Sequence, residues 1–258
     1  MNLTDLIRDY YGPLNSATKY PSIPTYHTLG ERGRLTEDHN VDWAGATREY
    51  TEKIDGTNSR IIFFGRDYVI GSREELLYAQ GDRIINPTQQ IVETLKQYEG
   101  VWNSLYGLRA TNIVGSFDFL TVVYGESFGG KIGKAAKGYG DLKFRIFDVQ
   151  TVPLSIVLEN PVDKIALWRE NEPHDWLTRA EIQESVPKCD DSYFVPLLDA
   201  PPIPESVEDV WEWLQRFKQS GVANCRNEGV VIRSADHKLA AKVRFEDYAK
   251  TLGIKNWQ

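Results

Sequence analysis

The sequence predicts an α+β fold built on largely antiparallel sheets. Strand-like runs outnumber helical ones, several are joined by turns too short to hold a crossover helix, and nowhere does strand alternate with helix as a parallel sheet requires. The chain has 258 residues, enough for one large domain or two small ones. No internal repeat or low-complexity linker interrupts it, so we read 1–258 as a single domain that opens with an N-terminal segment at 1–46.

The elements follow in order. Leu3, Leu6, Ile7 and Tyr10 make a short amphipathic start, and Tyr20-Pro21-Ser22-Ile23-Pro24 then excludes a helix interior. Strands are expected at 49–54, 59–64 and 68–72, the last two forming a hairpin around Gly65-Arg66-Asp67. Asn86-Pro87 is a helix start, a cap followed by proline at the first helical position. Ile91, Leu95, Tyr98, Trp102 and Leu105 then recur at three- and four-residue steps, the pattern of a helix lying on a sheet. Residues 112–126 are apolar and β-branched, with Gly115 marking a bulge. A strand at 143–149, a hairpin at 153–170 and an irregular, proline-rich stretch at 171–205 come next. Ser206, with Asp209 three residues on, opens a helix whose buried face is Val207, Val210, Trp211, Leu214 and Phe217. Strands at 228–233 and 238–245 close the chain.

Composition narrows the function. Hydrophobic residues make up 41% and charged residues 26%, which suits a buried core. The net charge of −7 argues against sequence-blind coating of nucleic acid but leaves room for a local basic groove. Basic residues gather at Lys131, Lys134, Lys137, Lys143 and Arg145, and again at Lys238, Lys242, Arg244 and Lys250. Cys189 and Cys225 lack metal-ligand spacing, so structural zinc is not expected and a reduced, cytoplasmic or otherwise intracellular setting fits, with both thiols buried. No signal peptide or membrane span is expected.

Chemistry concentrates around Lys53. Glu52-Lys53-Ile54-Asp55-Gly56-Thr57-Asn58 supplies a lysine, a carboxylate two residues on, and a glycine where the backbone can turn. A protonated lysine is a poor nucleophile and becomes a good one where its surroundings favour the neutral amine. On a strand Lys53 and Asp55 share a face. Downstream, in order, come Gly71-Ser72-Arg73, Tyr124-Gly125-Glu126-Ser127-Phe128-Gly129, Phe144-Arg145-Ile146-Phe147-Asp148, Glu228-Gly229 and Lys242-Val243-Arg244.

This collinear set resembles the covalent nucleotidyltransferases, the DNA ligases, RNA ligases and mRNA capping enzymes. Lys53-Ile54-Asp55-Gly56 is similar to motif I, Glu126 falls in motif III, Phe147-Asp148 in IIIa, Glu228-Gly229 in IV and Lys242 in V. The likeness runs from about residue 20 to residue 250 and is greatest to the phage double-strand-sealing and RNA-editing branch of RNA ligases. It implies the ligase adenylation fold, antiparallel sheets flanked by helices with the nucleotide site between them. It also implies ATP, Mg²⁺ or Mn²⁺, and an RNA partner carrying 5′-phosphate and 3′-hydroxyl ends.

The resemblance implies that Lys53 takes AMP from ATP, passes it to an RNA 5′-phosphate, and that a 3′-hydroxyl then displaces it. Lys242 is expected against the α-phosphate, with Arg244 on the same strand face; relatives often carry lysine there, and arginine keeps the charge as a planar fork. Arg73 is a candidate for the nucleotide or the RNA 5′-phosphate, and Arg60 for ribose or phosphate. Glu126 is expected at a ribose hydroxyl, Phe147 on the adenine face with Phe144 its rival, and Glu52 near the adenine amine, with Ile54 and Asn58 also at the nucleotide. Asp55, Glu228 and Glu126 are expected to hold the metal mainly through water.

Other readings stand beside this one. Gly125-x-x-x-x-Gly130-Lys131 nearly spells a P-loop but has Ile132 where a metal-binding hydroxyl belongs; 129–140 reads better as a basic flap. DNA ligases and capping guanylyltransferases share the lysine chemistry, yet the chain closes soon after Arg244, without the oligonucleotide-binding fold those enzymes append. A minimal ligase, or one relying on a protein partner for RNA binding, is the expectation. A non-catalytic end-binding module would have lost one of Lys53, Asp55, Glu228 or Lys242.

Overall fold

The structure, a computed structural model, describes residues 2–65, 67–79, 82–84, 90–98, 118–133, 136–185, 189–255 and 257. Its elements in chain order are α1 (Leu3–Ala17), β1 (His27–Leu29), β2 (Leu35–His39), β3 (Arg48–Lys53), β4 (Thr57–Phe64), β5 (Asp67–Ser72), β6 (Leu76–Ala79), β7 (Asp82–Arg83), α2 (Ile91–Lys96), β8 (Phe119–Phe128), α3 (Ala136–Tyr139) and β9 (Lys143–Pro153). They continue with α4 (Leu154–Glu159), α5 (Val162–Asn171), β10 (Asp175–Leu177), α6 (Arg179–Ser185), α7 (Val207–Leu214), β11 (Gly229–Ser234), β12 (Ala240–Arg244) and α8 (Phe245–Leu252).

Among the described residues the strands form a large sheet in the order β10-β9-β8-β4-β5-β6-β7, a small sheet β12-β11-β3, and the pair β1-β2. All of these strand pairs are antiparallel, and the fold is α+β as predicted. The large sheet is apolar on both faces. Ile61, Phe63, Ile70, Val123 and Ile146 pack with Ile91 and Leu95 of α2. Ile62, Phe64, Val69, Val122 and Val152 pack with Leu6 and Leu14 of α1, Val157 of α4 and Ile165 of α5. Each such side chain contributes about 1.5–3 kcal/mol when fully buried. The small sheet buries one face only: Tyr50, Val230, Ile232, Ala241 and Val243 meet α7 and α8. Its other face is turned towards the large sheet and bounds a cleft.

Local signals behave as physical chemistry requires. Asn2 and Asp5 close a capping box at the start of α1, and the Ser206 hydroxyl accepts the Asp209 N–H at 3.2 Å to start α7. Three expectations are corrected. Residues 153–170 are not a hairpin but α4 and α5, each preceded by a proline; β-branched Ile156 and Val157 suggested strand, whereas Leu154 and Val157 share one helical face on the core. The irregular stretch contains β10 and α6. On α7 it is Trp213, not Trp211, that is fully buried, Trp211 lying part-exposed against Phe245. Asn86-Pro87, Trp102, Leu105, residues 112–117 with Gly115, Arg66 and Lys134 lie outside the described residues. No described helix is long and apolar enough to cross a membrane.

Two backbone features shape the cleft. The β8–β9 register passes from Tyr124↔Asp148 to Gly125↔Ile146, leaving Phe147 as the extra residue of a bulge. A bulge re-aims side chains, and beyond it the faces of β9 are exchanged: Phe144 and Ile146 point into one core, Val152 into the other. In the small sheet, Gly229 lies between Lys53 and Arg244. A Cβ there would sit 2.1 Å from the Val243 carbonyl oxygen. Gly229→Ala is therefore expected to cost at least about 2 kcal/mol, read as a lower urea midpoint; an unchanged midpoint would mean that β12 yields freely.

Candidate active site

Strand alternation builds one wall of the cleft. The pairings Gly229↔Lys53, Val231↔Thr51, Gly229↔Arg244 and Val231↔Lys242 place these residues on one face of the small sheet. That face supplies Thr51, Lys53, Val231, Arg233, Lys242 and Arg244 to a cavity of about 460 Å³. The facing wall comes from the large sheet through Asn58, Glu126 and Phe147, and Tyr20–Ile23 cross it as a strap. The strap is tied to the basic strand: Lys242 N–H donates to the Pro24 carbonyl at 2.9 Å and Tyr26 N–H to the Lys242 carbonyl at 3.0 Å.

Lys53 Nζ donates to Glu228 Oε2 at 2.7 Å, both side chains being about one-quarter exposed. Lys242 is half-buried; desolvation pushes its ammonium down, and Arg244 and Lys53 push it further. Arg244, desolvated in turn, is held above its ordinary value by Asp247, to which it donates from two nitrogens at 2.8 and 2.7 Å. Cations thus converge where only some have a carboxylate. Glu126 is pushed up to about 8, first by desolvation, with Lys53 opposing and Glu228 and Asp55 adding to the rise. Burial thus favours its neutral form.

Most of the expected residues line this one cavity: Lys53, Ile54, Asp55, Asn58, Arg73, Glu126, Phe147, Glu228, Lys242 and Arg244. Asn58 Oδ1 is buried there with no partner among the described residues, an acceptor that favours a ligand or water. Arg73 is an exposed residue at the rim, 3.6 Å from Glu74. Phe147 faces the cavity, held by the edge of Tyr20 at 4.9 Å and by the Arg233 guanidinium 5.6 Å from its ring centre. Phe144, the rival stacker, is core.

Three residues depart from expectation. Arg60 does not line the cavity. It lies fully buried beneath α1, donating to the Asn15 carbonyl at 3.3 Å and to the Asn15 side-chain oxygen. Burial pushes its guanidinium down to about 10. Glu52 borders the cavity, but its carboxylate is committed to the Ser220 hydroxyl and, at 2.7 Å, to the Gly221 N–H. It anchors the 218–227 loop rather than standing free for an adenine amine. Cys225 is only half-buried, unlike Cys189; burial pushes both thiols up.

Sequence reasoning missed the support behind Phe147. Asp148 is buried and accepts from Tyr20 Oη, from Arg233 Nε at 3.1 Å and from His237 Nδ1 at 2.6 Å. Desolvation works against its charge, but Arg233, His237 and Tyr20 hold the carboxyl below its usual range. Arg233 was legible, two strand steps beyond Gly229; Tyr20 carried no signal beyond its prolines.

Because the ordinary value of Glu126 is 4.5 and its folded value about 8, the unfolded chain releases this proton first as pH rises. Between those values the folded state binds more protons, so this contribution to stability is present below about 4.5 and lost towards 8. Urea midpoints of the wild type are expected to fall relative to Glu126→Gln across that window; parallel profiles would contradict the shift.

Comparison with known proteins gives the following. A sequence model described as RNA ligase matches residues 48–251. No curated protein matches. Solved structures of a Naegleria gruberi RNA ligase align at 19% identity with a TM-score of 0.53 (a form with ATP and Mn), over 82% of this chain and 52% of that one. A second form with ATP and Mn aligns at 18% with a TM-score of 0.55, over 91% and 62%. A form with AMP and Mn aligns at 18% with a TM-score of 0.53, over 90% and 63%. At these identities the likeness is one of fold, and the chain spans little more than half to under two-thirds of the solved protein's length.

Proposed function

The chain belongs to the RNA ligase family, and from that premise we propose that it is an ATP-dependent RNA ligase working through lysyl-AMP on Lys53. The observation that carries this reading is a lysine amine inside a cavity, paired to an acid at 2.7 Å, with the cations of Lys242 and Arg244 on the same wall. Phosphoryl transfer asks for positioning and charge more than for covalent assistance, and these groups supply both.

In the first step the neutral Lys53 amine attacks the α-phosphorus of ATP. A P–N bond forms, the bond to the bridging oxygen breaks, and pyrophosphate leaves with the electron pair. The amine reacts as the free base, its proton released to solvent, and Glu228 Oε2, 2.7 Å away, orients it. Lys242 and Arg244 offset charge on the phosphate oxygens. Phe147 stacks on the adenine, Asn58 and Glu126 meet the ribose, and Arg73 at the rim meets the 5′-phosphate of RNA. That phosphate then takes the AMP, re-forming free Lys53, and a 3′-hydroxyl displaces AMP to seal the strand.

The solved Naegleria ligase carries Mn with ATP or AMP, and we extend a divalent cation, Mg²⁺ or Mn²⁺, to this chain. Among the described residues no group of three or more His, Cys, Asp or Glu forms a ready cage. Asp55, Glu126 and Glu228 nevertheless border one cavity, and mutual repulsion helps raise Glu126. Such a donor set fits an ion bound mainly through water. Once bound, it supplies positive charge opposite the α-phosphate.

Incubation with ATP and Mg²⁺ is expected to add the mass of AMP to the intact protein, and Lys53→Ala to abolish the adduct. Persistence in that variant would eliminate this nucleophile, and an adduct with GTP alone would indicate capping chemistry. Nicked RNA is expected to be sealed in preference to nicked DNA; the reverse would move the chain to DNA repair. Phe147→Ala is expected to raise the half-saturating ATP concentration about tenfold, as loss of one stacking contact does, while Phe147→Tyr stays close to wild type. Equal values for the two variants would remove the stacking role.

A further inference from the structure

We propose that Tyr139 is a positioning residue for the nucleophile, holding the turn that follows Lys53 through its hydroxyl; this rests on the reading of Lys53 given above. Tyr139 ends α3, within the flap, and is buried. Its hydroxyl accepts the Asp55 N–H at 3.1 Å. Its ring stands edge-on to Phe128 at 5.1 Å and belongs to the apolar cluster that contains Ile54. One side chain therefore holds the segment just after Lys53 in two ways, by a directed hydrogen bond to the Asp55 N–H and by sharing an apolar cluster with Ile54.

The grip is itself supported. Gly130 N–H donates to the Gly140 carbonyl at 2.7 Å, closing the neck of the flap one residue from Tyr139. At Gly138 a Cβ would lie 2.5 Å from Cys225 Cβ, so α3 rests flush on the 218–227 loop. Burial pushes the phenol up, and Cys225 packs in the same apolar cluster as the Tyr139 ring. The same loop binds the Glu52 carboxylate through Ser220 and Gly221, and Ser220 N–H donates to the Cys225 carbonyl at 2.9 Å. Glu52 precedes Lys53 and Asp55 follows it by two. The flap and the loop thus secure the chain on both sides of the reacting amine, and they meet at Cys225.

Without the hydroxyl, the Asp55 amide loses its partner and the turn gains freedom. Misplacement of reacting groups by as little as about 1 Å can cost on the order of a hundredfold in rate. Tyr139→Phe keeps the ring and its packing. It is expected to slow self-adenylation at saturating ATP about tenfold while the half-saturating ATP concentration changes less than about twofold. In parallel, hydrogen exchange at the Asp55 amide is expected to accelerate about tenfold in the absence of any nucleotide.

A wild-type rate in Tyr139→Phe, or unchanged exchange at Asp55, would overturn the proposal. So would a loss of rate matched by an equal loss of ATP affinity and of thermal stability, which would mark a general structural defect. The exchange measurement needs no catalysis, so it decides the clamp even where wild-type protein forms no adduct, an outcome that would count against the ligase reading alone.

Discussion

The antiparallel register of β3 on β11 and β12 is the constraint from which the site follows. It sets Lys53 and Arg244 on either side of Gly229, and Thr51 and Lys242 on either side of Val231. A slip of one residue would turn every side chain of a strand to the opposite face. Lys53 would then point at α7 and α8, and Tyr50 or Val230 would stand in the cavity. The register holds because the other face of this sheet is apolar and packed, with Val230, Ile232, Ala241 and Val243 buried. The reactive geometry is thus enforced by hydrophobic burial on the far side of the same three strands, with Gly229 admitting the close backbone approach of β12.

On the proposed reading, charge is arranged on this scaffold so that a polyanion can displace internal partners. The Lys53–Glu228 pair is short but about one-quarter exposed, so solvent screens much of its attraction. Breaking it when a phosphate arrives costs little compared with breaking a dry pair. Lys242 is pushed down by desolvation and by neighbouring cations, a strain that a phosphate relieves. Glu126, raised to about 8, offers a neutral carboxyl to a ribose hydroxyl or a carboxylate to a cation, according to what the cavity holds. The lining thus combines a raised carboxyl with a depressed ammonium, the charge pattern that suits the proposed ligands.

Much of this was legible in the sequence because it depends on short periods. Lys53, Glu228 and Lys242 emerge from motif order, and the common face of Lys53 and Lys242 from two-residue alternation. The residues that departed from expectation did so for reasons no local pattern carries. Asn58 and Arg60 share a strand face, but the cavity ends between them where α1 comes down, so Arg60 bonds Asn15 instead. Glu52 is adjacent to Lys53 in sequence and opposite to it across the sheet. Phe147 was the expected stacker and Phe144 its rival, but the bulge that frees Phe147 appears only when β8 and β9 are paired. At 153–170, β-branched residues and an intervening proline imitate a hairpin, and only burial against α1 identifies helices.

The support behind the cavity follows a different logic from its lining. Asp148 and Arg233 form an ion pair in which both side chains are nearly inaccessible. Such a pair is poor evidence for stability, since desolvation consumes most of the attraction. Its value lies in direction. Asp148 also receives Tyr20 and His237, so one carboxylate ties the strap, β11 and the β11–β12 turn to β9 beside Phe147. Any movement that closed the strap on a nucleotide would have to carry Tyr20 with it or break a bond to a buried charge. The strap is therefore better understood as a fixed wall of the cavity than as a lid.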